Sequence, residues 1–409
     1  MRAYERLLRY VAIHTTSDEK IDKTPSTDRQ FDLAKLLVSE LKELGIQDAD
    51  VDEHCYVTGH IPASEGYENA PKIGFISHLD TAPDCSGENV KPVIHENYDG
   101  NTLEIGNDRT LSTDMFSHLK DLKGKTLITT DGSTLLGADD KAGIAEIMTM
   151  AETLIGDGTP HGEICIAFTP DEEIGHGAEL LDLKRFGADF AYTVDGGPEN
   201  EIEYENFNAA KAVFKIRGVS VHPGDAKNCM INAGLLACEI ASMLPPAETP
   251  AHTEGREGFY HLTDICGDVE NAELSYIVRD HDAGIFSARL ETLKMIEKTL
   301  NERYKKVTVS LKITEQYLNM IEKIRPHMHI VDTAKACIKA QGMEPIDVPV
   351  RGGTDGARLS FRGLPCPNLG TGGYAFHGPF EHITAEGMDT VVKVLCSIVK
   401  EYAADGIDH

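Results

Sequence analysis

Between residues 70 and 200 the sequence repeats one pattern, and that pattern constrains the fold more than any other feature. A short apolar run ends in an acid or a histidine, and a glycine-containing turn follows. Ile73–Ser77 delivers His78 and Asp80; Thr126–Thr129 leads to GADD with Asp139 and Asp140. Ile164–Phe168 leads to Glu172 and Glu173, and Ala188–Val194 to Asp195. Apolar runs without alternation read as strands buried on both faces. Between them Ile144, Ile147, Met148, Ala151 and Leu154 keep helical spacing. The chain is therefore expected to be α/β, a mixed, mostly parallel sheet sandwiched by helices. In such sheets function collects at the carboxyl ends of strands.

From Ala209 the pattern changes. Strands at Ala212–Arg217, Phe259–Cys266, Glu273–Arg279 and Lys306–Ile313, with helices at Ala226–Met243 and Ala288–Glu302, give the order βαββαβ. This describes a small α+β domain inserted in the first. The alternation resumes with a helix at His329–Ala340, strands at Pro345–Val350 and Pro367–Gly370, and a terminal helix at Thr384–Ala403. Two domains follow, 1–208 with 321–409 and 209–320, as suits a chain of 409 residues. Thr27 and Gln30 have the spacing of a capping box opening a helix that Gly45 stops. Residues 81–125 show no sustained period and read as a long functional loop.

The charge balance, 39 Lys+Arg against 67 Asp+Glu, gives −28. It argues against nucleic acid or an anionic membrane surface as partner. Nine dispersed cysteines with no CxxC pair point to reduced thiols and a cytoplasmic protein. The opening residues are broken by Arg2, Glu5, Arg6 and Arg9, and no stretch is long and apolar enough to span a bilayer.

The residue types at the strand ends suggest a metal. His78 and Asp80 project to the same side of an extended chain, as a ligand and the group that orients its ring would. Imidazole with carboxylate and no thiolate suits zinc, cobalt or manganese. A single acid at a loop end is more often a cap or turn former, but the joint placement of His78, the Asp139–Asp140 pair, the Glu172–Glu173 pair, Asp195 and His377 is harder to explain that way. One coherent assignment has His78 and Asp195 on one ion, Glu173 and His377 on the other, and an aspartate of GADD bridging. Charge alone does not choose between Asp139 and Asp140. Glu172, beside the cluster, is the candidate general base. GADDKAG lacks the ending of a phosphate loop and carries two acids where an anion would lie. His161, His176, His281, His327, His329 and His382 stand outside the pattern, and most are expected to be solvated.

The segments HLDT (78–81), GADDKAG (137–143), PDEEIG (170–175), VDGG (194–197), VSVHPG (219–224), RGGTDGA (351–357) and GGYAFHG (372–378) together resemble the M20 metallopeptidase family, over essentially the whole chain. The resemblance implies two zinc ions in the catalytic domain, with Co2+ or Mn2+ as possible substitutes, and a smaller lid domain that also forms a homodimer. It gives the bridge to Asp139, followed by a cis peptide, and supports Glu172 as base. It implies that His222 stabilises the oxyanion, often across the dimer. The substrate it implies is a small peptide, with the amino-terminal residue of a tripeptide removed. Asn232 and Arg351 are candidates for gripping a peptide carboxylate, a task an arginine fork suits, although Arg351 fits a pairing with a local acid equally well. Alternatives within the family are a dipeptidase, a carboxypeptidase or an N-acyl amino acid deacylase. A non-catalytic metal-binding scaffold would be expected to lack the base or a ligand, and none is missing.

Overall fold

The strands Ile73–His78 and Ile164–Thr169 are buried at every residue and pair in parallel, Ile73 beside Ile164 and His78 beside Thr169. Their apolar runs face packed layers on both sides, which is why they lack alternation. The computed structural model describes residues 1–305 and 308–405. The chain divides into two compact units, one of Met1–Tyr204, Glu322–Val348 and Thr354–His409, the other of Glu205–Ile321 with Pro349–Gly353.

In the first unit an eight-stranded sheet runs in the order Asp50–Val51, Val57–Ile61, Ile164–Thr169, Ile73–His78, Phe190–Gly196, Asn368–Gly370, Glu201–Asn206, Ile346–Val350. The central four strands are parallel; Val57–Ile61 and Glu201–Asn206 join them antiparallel. Parallel register brings His78, Thr169 and Asp195 to one edge. The helix Ala138–Asp157 packs on one face, against the strands ending at His78 and Gly196. On the other, Ile76, Cys165, Ala167 and Ala191 form a cluster with Phe186, Leu359 and Leu364. Gly143 sets the helix-to-sheet approach: a Cβ there would overlap the Val194 carbonyl and sit 2.6 Å from Ser77 Oγ.

Residues 81–125 are not one loop. Pro92–His95 joins Leu127–Thr130, His382–Thr384 and Gly373–Tyr374 in a second sheet, and Leu103–Gly106 pairs with Arg109–Leu111. The three strands within this segment, Pro92–His95, Leu103–Gly106 and Arg109–Leu111, are three or four residues long, too short for a period to emerge. The expected capping box does not form either. Arg29 occupies the N-cap without a side-chain bond, and Gln30 is fully buried.

The second sheet carries a stacked ring cluster. His118 lies over Tyr374 with centroids 4.2 Å apart and is stacked with His382. His382 Nδ1 donates to the Phe380 carbonyl at 2.6 Å, so its Nε2 accepts from His118 Nε2 at 2.9 Å. Burial pushes His382 down to about 4. His161 and His281 are also buried, so three of the six histidines outside the pattern are buried, where most of the six were expected to be solvated.

The second unit has the expected order. Its antiparallel sheet runs Phe259–Gly267, Asn271–Asp280, Asn208–Arg217, Thr308–Tyr317. Lys306 and Val307, included in the expected last strand, lie outside the described residues. Helices Ala233–Met243 and Ala283–Arg303 cover one face, burying Phe214, Leu236, Ile240, Leu274, Leu293 and Ile296. The return of 349–353 to this unit has no counterpart in the expected division. Arg351 accounts for it: the guanidinium donates to the carbonyls of Gly255 and Glu257 and lies over the rings of Phe207 and Phe259.

Gly143→Ala should cost on the order of 3 kcal/mol, because the helix must lift from the sheet. Gly156→Ala, in the same helix with open space at its Cβ, should gain about 0.5–1 kcal/mol; urea melts of both variants provide the check. Unfolded His382 takes a proton near pH 6.5 but folded His382 only near 4. Stability should therefore fall as pH drops through that window, by up to about 1.4 kcal/mol per pH unit from this residue. His382→Gln should flatten the dependence between pH 6.5 and 4 in denaturation curves; an unchanged slope would contradict the assignment.

Candidate metal centre

Five segments of the first unit deliver the predicted ligands to one place. His78 is the last residue of its strand, and Asp195 lies next to the end of Phe190–Gly196. Asp139 sits in the first turn of the helix that begins after Gly137, a residue at φ +80° where glycine is favoured. Glu172 and Glu173 open the turn after Ile164–Thr169. His377, itself at φ +62°, stands in the loop between Gly373–Tyr374 and His382–Thr384.

The geometry centres on Asp139. Its Oδ1 lies 2.9 Å from His78 Nε2 and its Oδ2 3.1 Å from His377 Nε2. Around the first ring, His78 Nε2 is 3.4 Å from Asp195 Oδ1. Around the second, His377 Nε2 is 3.0 Å from Glu173 Oε2. Asp140 also belongs to a convergent group with His78 and Asp195. Its Oδ2 accepts the backbone N–H of His78 at 3.1 Å, whereas its Oδ1 is buried without a hydrogen-bond partner. The peptide bond between Asp139 and Asp140 is cis.

Asp80 does more than the sequence suggests. Its carboxylate is 3.2 Å from His78 Nδ1, where its own carbonyl also lies at 3.0 Å. The same carboxylate accepts the backbone N–H groups of Glu172 at 3.0 Å and Glu173 at 3.2 Å. One side chain thus orients a histidine ring and holds the adjacent acidic turn. Asp171, at φ +56°, anchors that turn from the other side. It accepts from Ser26 N, Ser26 Oγ and Gln30 Nε2, each at 2.6 Å, and its N–H donates to Gln30 Oε1. No periodicity announces these partners; only an acid preceding the Glu172–Glu173 pair could have drawn attention.

Charge is crowded here. Burial, then the charge of Asp139, pushes Glu173 up to about 8. Burial and the charges of Asp195 and Asp355 raise Glu172 well above the usual carboxylate range. Burial would also raise Asp139, but hydrogen bonds from His377 and His78 outweigh it and hold it low. Hydrogen bonds to Asp139 and Glu173 push His377 up to about 11. Burial works to lower His78, and Asp195, Asp139 and Asp80 nonetheless raise it well above its ordinary value. Glu173 Oε1 is buried with no hydrogen-bond partner. Two imidazoles among this many carboxylates leave an anionic surplus that divalent cations would neutralise. The donor set, nitrogen and carboxylate oxygen converging within 4.8 Å, fits such ions.

The remaining candidates lie in the second unit. His222 is exposed, with Nδ1 accepting from Gly224 N at 3.2 Å. Asn232 caps the helix Ala233–Met243 by accepting from Leu235 N. Arg351 is engaged with the carbonyls and rings described above, and also with the Thr253 hydroxyl at 3.0 Å.

Comparison with known proteins agrees with this constellation. The family model described as Peptidase family M20/M25/M40 matches residues 130–401. A protein named Peptidase T from Desulfitobacterium hafniense is 55% identical over 98% of this chain and 98% of its own. One of the same name from Clostridium perfringens is 54% identical over 98% and 99%. Aminopeptidase PepT from Bacillus cereus shares the fold, with a TM-score of 0.78 at 22% identity over 98% of both chains. So does a Bacillus subtilis protein described as a dinuclear metal binding peptidase, with a TM-score of 0.67 at 16% identity over 98% of both chains. With the family's motifs at the strand ends and relatives more than half identical along nearly its whole length, the chain belongs to peptidase family M20/M25/M40.

Proposed function

We propose that this protein is a two-metal aminopeptidase that releases the amino-terminal residue of tripeptides. The observation that carries the metal reading is the carboxylate of Asp139, with one oxygen turned to His78 and the other to His377. In this reading His78 and Asp195 hold one zinc ion, Glu173 and His377 the other, and Asp139 is shared. When bound, the ions lower the pKa of water and polarise a carbonyl. Asp80 fixes the His78 ring through Nδ1. Glu172, held by its backbone to Asp80, takes the proton of the attacking water on a carboxylate oxygen and passes it to the leaving amine. Its desolvated surroundings suit a base that works near neutral pH.

Relatives named Peptidase T support peptide cleavage. Amino-terminal polarity, tripeptide length, dimerisation through the second unit and the oxyanion role of His222 rest on the resemblance of motifs. Substrate contacts from Asn232 and Arg351 rest on side-chain type alone, and both side chains are engaged within the second unit. The cytoplasmic assignment rests on the dispersed cysteines, which are free thiols.

Glu172→Gln should retain metal while turnover falls about 10²–10⁴-fold, the range for loss of a general base. Asp139→Ala should lose metal at both positions; metal analysis beside a peptidase assay separates the two effects, and a full metal complement in Asp139→Ala would refute the bridge. Matched di-, tri- and tetrapeptides, free or blocked at either end, test the substrate. Tripeptides with a free amino terminus should be cleaved and amino-blocked ones spared. Preference for dipeptides or for N-acyl amino acids would replace this reading with another activity of the family.

A further inference from the structure

Glu381 lies at the far end of the loop that carries His377, immediately before the strand His382–Thr384. Its side chain is 1% exposed, and both oxygens are spent on another segment. Oε2 accepts the backbone N–H groups of Leu136 at 2.7 Å and Gly137 at 2.8 Å; Oε1 accepts that of Asp139 at 3.0 Å. Leu136 and Gly137 precede the helix, and the backbone is non-helical at Asp139 and Asp140, with a cis peptide between them. N–H groups in so irregular a turn have no helical acceptor and need another when buried, and a carboxylate 242 residues away from Asp139 along the chain supplies it.

The consequence reaches the metal centre. Glu381 N–H also donates to the Gly378 carbonyl at 3.1 Å, which closes the loop beside His377. The loop's two ends are paired, Tyr374 with His382. Asp139 and His377 are thus tied to each other through one buried side chain. His78 and Asp195 need no such tie, because they stand at the ends of neighbouring parallel strands.

We propose that Glu381 is a positioning residue that holds the Asp139 turn against the His377 loop, and so sets the second metal position, the one formed by Glu173 and His377. The proposal rests on the two-metal reading above. Removing the tie should weaken that position more than the one held by His78 and Asp195. Partners that orient ligands typically matter about 10–100-fold in metal affinity.

The test compares wild type with Glu381→Gln, whose amide sets an N–H donor against at least one of the three backbone donors. Both proteins are stripped of metal and titrated with Zn2+ against a chromophoric chelator. Wild type should bind two ions. The variant should bind the second ion about 10–100-fold more weakly and the first with a smaller loss, because Asp139 is shared, with kcat recovering as Zn2+ is raised. A folded variant that binds both ions with wild-type affinity would overturn the proposal, even if its Tm falls, because Glu381 would then only stabilise the turn. Fewer than two ions in wild type would instead overturn the two-metal reading. If the variant does not fold, amide exchange in metal-free wild type decides: Leu136, Gly137 and Asp139 should exchange slowly, and fast exchange at these amides in the folded protein would overturn the tie.

Discussion

Carboxylates that would repel one another in a buried site are held together here, and the rest of the first unit is arranged around that constraint. Asp139, Glu172, Glu173 and Asp195 cannot all be ionised in an apolar pocket without cations or protons. The crowding is visible in two upward shifts, with Glu173 pushed up to about 8 by burial and the charge of Asp139, and His377 up to about 11 by its hydrogen bonds to Asp139 and Glu173. A flexible chain would relieve the repulsion by moving the acids apart. This chain resists that, because Asp139, Glu172 and Glu173 are anchored through their backbone N–H groups and Asp195 is held in its strand.

The anchoring uses a second tier of acids as acceptors of backbone N–H groups. Asp80 takes the N–H groups of Glu172 and Glu173, Asp140 takes that of His78, and Asp171 ties the same turn to Ser26 and Gln30. Each such bond fixes the Cα from which a reacting side chain projects without using that side chain's own oxygens. The parallel sheet supplies the rest, since register alone puts the carboxyl ends of Ile73–His78, Ile164–Thr169 and Phe190–Gly196 side by side.

This division explains what could be read from the sequence. His78, Asp139, Glu172, Glu173, Asp195 and His377 follow apolar runs or sit in glycine-rich turns, so period and residue type located them, with the resemblance to the family choosing Asp139 over Asp140. The structure brings those six residues together. The anchors were harder to see. Gln30 has the spacing of a capping box, but its amide goes to Asp171, and an amide serves either purpose equally well in a linear sequence. The helix Asp355–Phe361 has only seven residues, and Glu201–Asn206 alternates acids with other residues; neither carries the apolar run that marked the central strands. Arg351 was weighed as a substrate group or an ion-pair partner, whereas its bonds go to backbone carbonyls, which no pattern of charges reveals.

The basic partners distinguish structural acids from those of the centre. Elsewhere in the first unit, buried Glu40 is paired with Arg6 at 2.9 Å and accepts from Tyr10, and Glu152 pairs with the same guanidinium. A guanidinium keeps its charge and offers no lone pair, so that arrangement is closed. Around Asp139, Glu173 and Asp195, the ion pairs among the described residues come from His78 and His377 alone. Imidazole can release its proton and turn the same nitrogen to a cation. Nearby Lys141 does not take the role: it is buried, its Nζ donates to the Ile13 carbonyl at 2.8 Å, and burial pushes it down to about 7. An acid cluster matched by histidines, with the available lysine turned away, is built to exchange protons for metal and not to be neutralised permanently by its own chain.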